Sequence, residues 1–118
     1  FRPIFEGLGH EECWVIFLTS SARILERMKI SQGGVQATVV DNRLIFKRAL
    51  ELLATQIIIA HNHPGGVAAP SREDIMMTSD FASIFRNMGI RFADHIIAGA
   101  DDIISLASLK KFSPYFSV

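Results

Sequence analysis

The sequence predicts an α/β domain, a mixed β-sheet with helices packed against it, and three observations carry that expectation. Short β-prone runs, some apolar on both sides of the pleat, are interspersed with two stretches of helical periodicity. The order along the chain reads β-β-β-α-β-α-β-β, with no internal repeat, low-complexity run or linker between the segments. At 118 residues, 49% apolar and 20% charged, residues 1–118 suit one domain that buries its core without disulfides.

Cys13 to Ser20 reads as a central strand, and Arg23 to Ser31 as its partner, ending at Gly33-Gly34. Val35 to Val40 is a further β-prone stretch. Asp41 or Asn42 caps a helix running to about Ala54, with Phe46, Ala49, Leu50 and Leu53 as its core-facing stripe at i, i+3, i+4 and i+7. Gln56 to Ala60 is a buried strand stopped by Pro64 and Gly65-Gly66. Pro70-Ser71 opens a second helix that reaches Met88 and terminates at Gly89. Ile90 to Gly99 is another strand, Ala100-Asp101-Asp102 a turn, and Ile103 to Leu106 a last strand. Lys110, Lys111 and Phe112 fall in a short helix or tail.

Twelve basic side chains balance twelve acidic ones, so no net field draws in a polyphosphate, and direct nucleic-acid binding by this domain alone is not expected. The single cysteine, Cys13, forms no internal disulfide, which favours a reducing, cytoplasmic setting and excludes an all-cysteine zinc site. No segment approaches the ~20 apolar residues of a bilayer span, and no signal-peptide pattern is read. The chain opens on Phe1 rather than methionine, as a piece of a longer protein does.

The chemistry concentrates in His61-Asn62-His63-Pro64, followed by Ser71 and Asp74. Residues two apart on a strand share a face, so His61 and His63 project together, continuing the row of Ile57 and Ile59 at the strand's end. Asp74 shares a helix face with Thr78, Phe81 and Phe85, which must meet the core. A carboxylate turned inward needs a partner, because burying it unpaired costs several kcal/mol. A divalent cation shared with two neutral imidazoles supplies one, and two nitrogens with one oxygen leave a fourth tetrahedral position for water. Such a site also wants a nearby carboxylate to take and return a proton. Glu11 and Glu12 both precede the first strand, on opposite faces of the pleat, and alternation alone does not say which meets the histidines.

Ser71-x-x-Asp74 also reads as a capping box at a helix start. Capping leaves the serine hydroxyl proton free to serve a developing oxyanion, whereas a metal-bound Asp74 is not expected to cap as well. Asp94 and His95 point oppositely in a strand, so at most one reaches the site, as a partner of a ligand. Cys13 reads as a small buried hydrophobe, and Met76-Met77 as packing.

With these residues in place the chain resembles the metal-binding domain of the RadC family, within the JAMM (MPN) metallo-isopeptidase superfamily. That signature is a distal glutamate, His-x-His, seven residues, Ser, two residues and Asp. His61-Asn62-His63, the seven residues Pro64 to Pro70, Ser71, Arg72-Glu73 and Asp74 match it without a gap. HNHPGG at His61 to Gly66, APSREDIMMT at Ala69 to Thr78 and DHIIAG at Asp94 to Gly99 are RadC-like, and the likeness runs from about Glu11 to Leu106. It implies a cytidine-deaminase-like three-layer α/β/α sandwich, with Zn²⁺ on His61, His63 and Asp74. It also implies Glu11 as general acid/base (the register falls there rather than on Glu12) and Ser71 as oxyanion donor.

The sequence departs from the family pattern in two places. Gly65 stands where RadC proteins usually have serine, and Val40-Asp41-Asn42-Arg43 lacks the His-Pro-Arg often found there. The helix-hairpin-helix region of longer relatives does not occur in these 118 residues, which therefore give the family's DNA-repair label no support.

The leading functional expectation is a zinc-dependent hydrolase of peptide or isopeptide bonds, acting on a peptide or protein substrate. The alternative is a non-catalytic DNA-repair or partner-binding module with a structural metal. Fe(II) oxygenase chemistry also uses two histidines and a carboxylate, though more often as His-x-Asp with a remote histidine. A zinc deaminase needs a Cys-x-x-Cys pair that one cysteine cannot supply.

Overall fold

The structure is a computed structural model in which residues 11–32, 42–63 and 65–116 are described. Its elements are β1 (Glu12–Leu18), β2 (Ile24–Gln32), α1 (Asn42–Leu52), β3 (Gln56–Asn62), α2 (Arg72–Asn87), β4 (Arg91–Ala98) and β5 (Ile103–Ser105). Two short 3₁₀ helices follow, Leu106–Ser108 and Ser113–Phe116. The β-prone stretch expected over Val35 to Val40 lies outside the described residues.

The five strands form one sheet in the order β2-β1-β3-β4-β5. The β1–β2, β1–β3 and β4–β5 pairs are antiparallel, while β3 and β4 run parallel. A parallel pair requires a crossover, and α2 provides it. The mixed α/β sheet is thus the architecture the sequence predicts.

Registers sort the side chains between the two faces. Cys13 pairs with His61, Val15 with Ile59 and Phe17 with Ile57, while His61 lies beside Ile97 and Ile59 beside His95 on β4. This inner face carries the main core, joined by Ile45 and Ala49 of α1 and Phe81, Ala82 and Phe85 of α2. Phe46 of α1 meets Phe85 of α2 edge-on, ring centroids 5.3 Å apart. Phe116 of the last 3₁₀ turn closes the end against Phe92. The outer face presents Ala60 and Ala98 with Trp14 and Ile96 packed against them. Among the described residues, both helices contribute side chains to this inner-face core.

The stripe expected on α1 is corrected. Ile45 and Ala49 are fully buried and Leu52 packs beside them, whereas Leu50 is exposed and Leu53 is 81% exposed. Apolar residues at 44, 45, 46, 49, 50, 52 and 53 offer two helical stripes. Burial selects the row through Ile45 and Ala49, with Phe46 and Leu52 packed at its sides. Leu53 is lost to the stripe for a second reason, because the helix stops at Leu52. Leu53 adopts φ +52°. Its N–H and that of Ala54 donate back to the carbonyls of Leu50 and Ala49. Helix α2 ends in the same way, with Gly89 at φ +72° and Ile90 N–H donating to Phe85 O. These are Schellman endings, one with the glycine such a position favours and one without.

The two stripes make opposite demands on truncation. Ile45→Ala should cost about 2–5 kcal/mol, and Leu50→Ala, at an exposed position, less than about 0.5 kcal/mol. Urea denaturation of the two variants checks the assignment.

Candidate metal centre

The site forms where β3 ends, beside the start of β1 and the first turn of α2. His61 lies within β3 and His63 one residue beyond it. His63 N–H donates to Ala98 O, extending the parallel ladder and holding the second ring in line with the first. Asp74 is the third residue of α2 and shares its buried face with Thr78, Phe81, Ala82 and Phe85. The aromatic stripe that seats the helix therefore also aims this carboxylate at the sheet.

Three ligand-type atoms meet at one point. His61 Nε2 lies 3.0 Å from Asp74 Oδ1, His63 Nε2 3.2 Å from Asp74 Oδ2, and the two Nε2 atoms 3.0 Å from each other. Ligands about 2.0–2.1 Å from a tetrahedral zinc stand about 3.3 Å apart, so this triangle has nearly the edge length such an ion needs. Burial pulls the Asp74 pKa up, but the His61 ring and the hydrogen bonds from Ser71 outweigh it and hold the carboxyl well below the usual range. Two imidazole lone pairs and a carboxylate facing inward at this spacing repel unless a cation or shared protons stand between them. The donor set fits a divalent metal.

The capping box is present in full. Asp74 N–H donates to Ser71 Oγ at 3.1 Å, and Ser71 N–H donates to Asp74 Oδ2 at 2.8 Å. Asp74 therefore caps the helix while still presenting a carboxylate oxygen to the histidines. The carboxylate divides its oxygens, with Oδ1 free of the cap and facing His61. Ser71 Oγ accepts from the helix, which leaves its proton available to another acceptor.

The ambiguity at the first strand is resolved by pairing. Glu12 has the parity of Trp14 on the outer face, where Trp14 Nε1–H donates to its carboxylate at 2.9 Å and Lys29 lies 3.6 Å away. Glu11 has the parity of Cys13 on the inner face, and its carboxylate groups with the ring nitrogens of His61 and His63 within 4.8 Å. Asn62, the central residue of His-x-His, turns to the other side. Its Oδ1 accepts from Glu12 N–H at 2.6 Å, which ties down the peptide that carries Glu11.

His95 and Thr78 were not expected as a connected pair. His95, fully buried on β4, places Nε2 2.8 Å from His61 Nδ1, and Thr78 Oγ1 lies 2.7 Å from His95 Nδ1. Asp94 points the other way and binds Ser105 Oγ and Ala107 N–H. The one signal in the sequence was the apolar–polar break of Asp94-His95 inside a strand, which does not reveal the neighbouring strand.

The loop after His63 is pinned to the β4–β5 turn. Ala68 N–H donates to Asp102 Oδ1 at 3.0 Å and Ala100 N–H to Gly66 O at 2.7 Å. A Cβ on Gly99 would lie 2.5 Å from Ala68 N and 2.8 Å from Gly66 O, so only glycine permits this approach. The loop returns Val67 O to His63 Nδ1 at 3.3 Å. Pro64 lies outside the described residues. Cys13, beside His61, is buried, and burial first, with Asp74 and Glu11 nearby, pushes its thiol up to about 12.

Sheet order and site together define a JAB/MPN-type α/β domain with a histidine–aspartate cluster able to hold a metal. The RadC-like JAB domain family matches residues 1–111, and the chain belongs to that family. It is 40% identical over 96 residues to a UPF0758 protein of Flavobacterium johnsoniae, covering 81% of this chain and 42% of that protein. A Porphyromonas gingivalis UPF0758 protein is 41% identical over 99 residues (84% and 44%), and one from Leptothrix cholodnii 37% over 120 residues (90% and 54%). The chain thus spans about half the length of the curated relatives it matches. No helix among the described residues is long and apolar enough to cross a membrane.

Two outcomes follow from these contacts. Asn62→Ala strips the buried Glu12 N–H of its acceptor and should lower stability by about 1–3 kcal/mol in thermal denaturation. Cys13 should resist iodoacetamide at pH 8 in the folded protein and react fully in urea, as read by mass spectrometry.

Proposed function

We propose that the domain is a zinc-dependent hydrolase of peptide or isopeptide bonds, with His61, His63 and Asp74 as metal ligands, Glu11 as general acid/base and Ser71 as oxyanion donor. The observation that carries this reading is the placement of Glu11 beside His61 and His63 but outside the close triangle they form with Asp74. Hydrolysis needs a carboxylate beside the metal to move the proton of water, and Glu11, one residue before β1, is the one that approaches both rings.

Bound at the triangle, the ion would supply Lewis acidity and bring the pKa of a water toward ~7. The protein's own groups do the remaining work. The Glu11 carboxylate accepts the proton of the attacking water and returns it to the leaving amine. The Ser71 hydroxyl donates to the oxygen of the carbonyl as charge develops there, its own oxygen held by Asp74 N–H. The capping bonds fix the Ser71 rotamer, so the donor needs little reorganisation.

A peptide or protein is the substrate class this chemistry suits. With no net charge the domain is not expected to bind nucleic acid directly, which argues against the alternative of a DNA-repair module. The lone buried thiol of Cys13 suits a reducing, cytoplasmic setting.

Glu11→Gln should keep stoichiometric zinc, read by metal analysis, and lose cleavage of a defined peptide mixture that the zinc-loaded wild type cuts, read as new N-termini by mass spectrometry. Loss of one proton-transfer group should slow cleavage by about 10²–10⁴-fold. Undiminished turnover by Glu11→Gln would refute the assignment.

A further inference from the structure

The hydroxyl of Thr78 has one proton and two polar neighbours. Asp74 O lies 2.9 Å from Oγ1 and His95 Nδ1 lies 2.7 Å from it. A carbonyl oxygen only accepts, so the Thr78 proton goes to Asp74 O, and Oγ1 must accept from His95 Nδ1–H. A neutral His95 then carries its lone pair on Nε2, 2.8 Å from His61 Nδ1. His61 donates its proton there and, with an ion between it and Asp74 Oδ1 3.0 Å away, keeps its own lone pair on Nε2.

Reversing the chain fails at both ends. It would break the bond of the Thr78 hydroxyl to Asp74 O, leaving that carbonyl its helical N–H alone, and it would put a proton on His61 Nε2, where a ligand needs a lone pair. Burial supports the stated direction, since His95 is fully enclosed, where a charged ring is costly. A charged ring would have no lone pair to offer His61. His63 is fixed by a shorter route, because Val67 O can only accept from His63 Nδ1–H.

We infer that His95, oriented by Thr78, is a positioning residue for metal binding: it sets the tautomer and ring plane of His61 so that Nε2 faces the ion. The inference rests on the metal-centre reading above and adds to it two residues that do not touch the ion. The competing arrangement is His95 as a direct ligand, since His61, Asp74 and His95 also offer atoms within 4.8 Å of one another. The hydrogen bond from His61 Nδ1 occupies His95 Nε2 and argues against it.

Two measurements test this on the purified 118-residue chain. Zinc affinity is read by competition with a chromogenic chelator, and ring protonation by ¹⁵N NMR of the chelator-stripped protein. Thr78→Val and His95→Leu should each weaken zinc about 10–100-fold while keeping one ion per chain, and Thr78→Ser should restore wild-type affinity. NMR should find the His95 proton on Nδ1. Unchanged affinity in Thr78→Val, or a His95 proton on Nε2, overturns the inference. So does complete loss of zinc in a folded His95→Leu, matching His61→Ala, because that marks a ligand. If His95→Leu does not fold, Thr78→Val and the NMR result still decide. A wild-type chain that binds no zinc but protonates His95 on Nδ1 overturns the metal-centre reading while leaving the hydrogen-bond chain intact, so the two failures are distinguishable.

Discussion

A carboxylate on the buried face of a helix has to be neutralised where it stands, and Asp74 is in that position because the core puts it there. Phe81 and Phe85 seat α2 against the sheet, and the helical period brings Asp74 and Thr78 onto the same stripe. Turning the helix by one residue would bury Glu73 or Ile75 in place of Asp74 and pull both phenylalanines from the core. Packing and chemistry thus answer to one constraint. The capping bond to Ser71 N–H and the rings of His61 and His63 divide the resulting charge between them.

The sheet supplies the other half. Strand β3 is central, flanked by antiparallel β1 and parallel β4. Its C-terminal end therefore lies beside the N-terminal end of β1 and within reach of β4 side chains. One neighbour delivers Glu11 and the other delivers His95. Parallel strands joined by a helix place functional groups at the carboxyl ends of strands, where the crossover begins. Here the crossover helix itself carries Asp74, so the same connection that satisfies strand topology closes the site.

What the sequence made legible was local. His-x-His at a strand end, and an acid sharing a helix face with two phenylalanines, follow from periods of 2 and 3.6 alone, and the structure keeps both geometries. What stayed hidden depends on pairing between distant segments. Glu11 and Glu12 differ only in parity, and parity has no meaning until Cys13 is set opposite His61. His95 needs β4 to run parallel to β3 with Ile59 alongside. On α1 two apolar rows are available, and only packing against the core, which buries Ile45 and leaves Leu50 exposed, separates them. The helix end was misread because Leu53 occupies a left-handed position without the glycine that would have marked it.

Both ring nitrogens that face away from the ion position are occupied by partners the metal does not supply. His95 takes Nδ1 of His61, and Val67 O takes Nδ1 of His63. The second partner is itself held in place, since Asp102 and the close passage of Gly99 fix the loop that presents Val67. Ring orientation is consequently determined by the fold, and a metal held there would not expend free energy ordering two imidazoles. Asn62 extends the same logic to Glu11 by fixing the peptide behind it. On the proposed reading, side chains that would neither bind an ion nor transfer a proton determine how well the ones that would are aimed, and the spacing of a motif records the second group without the first.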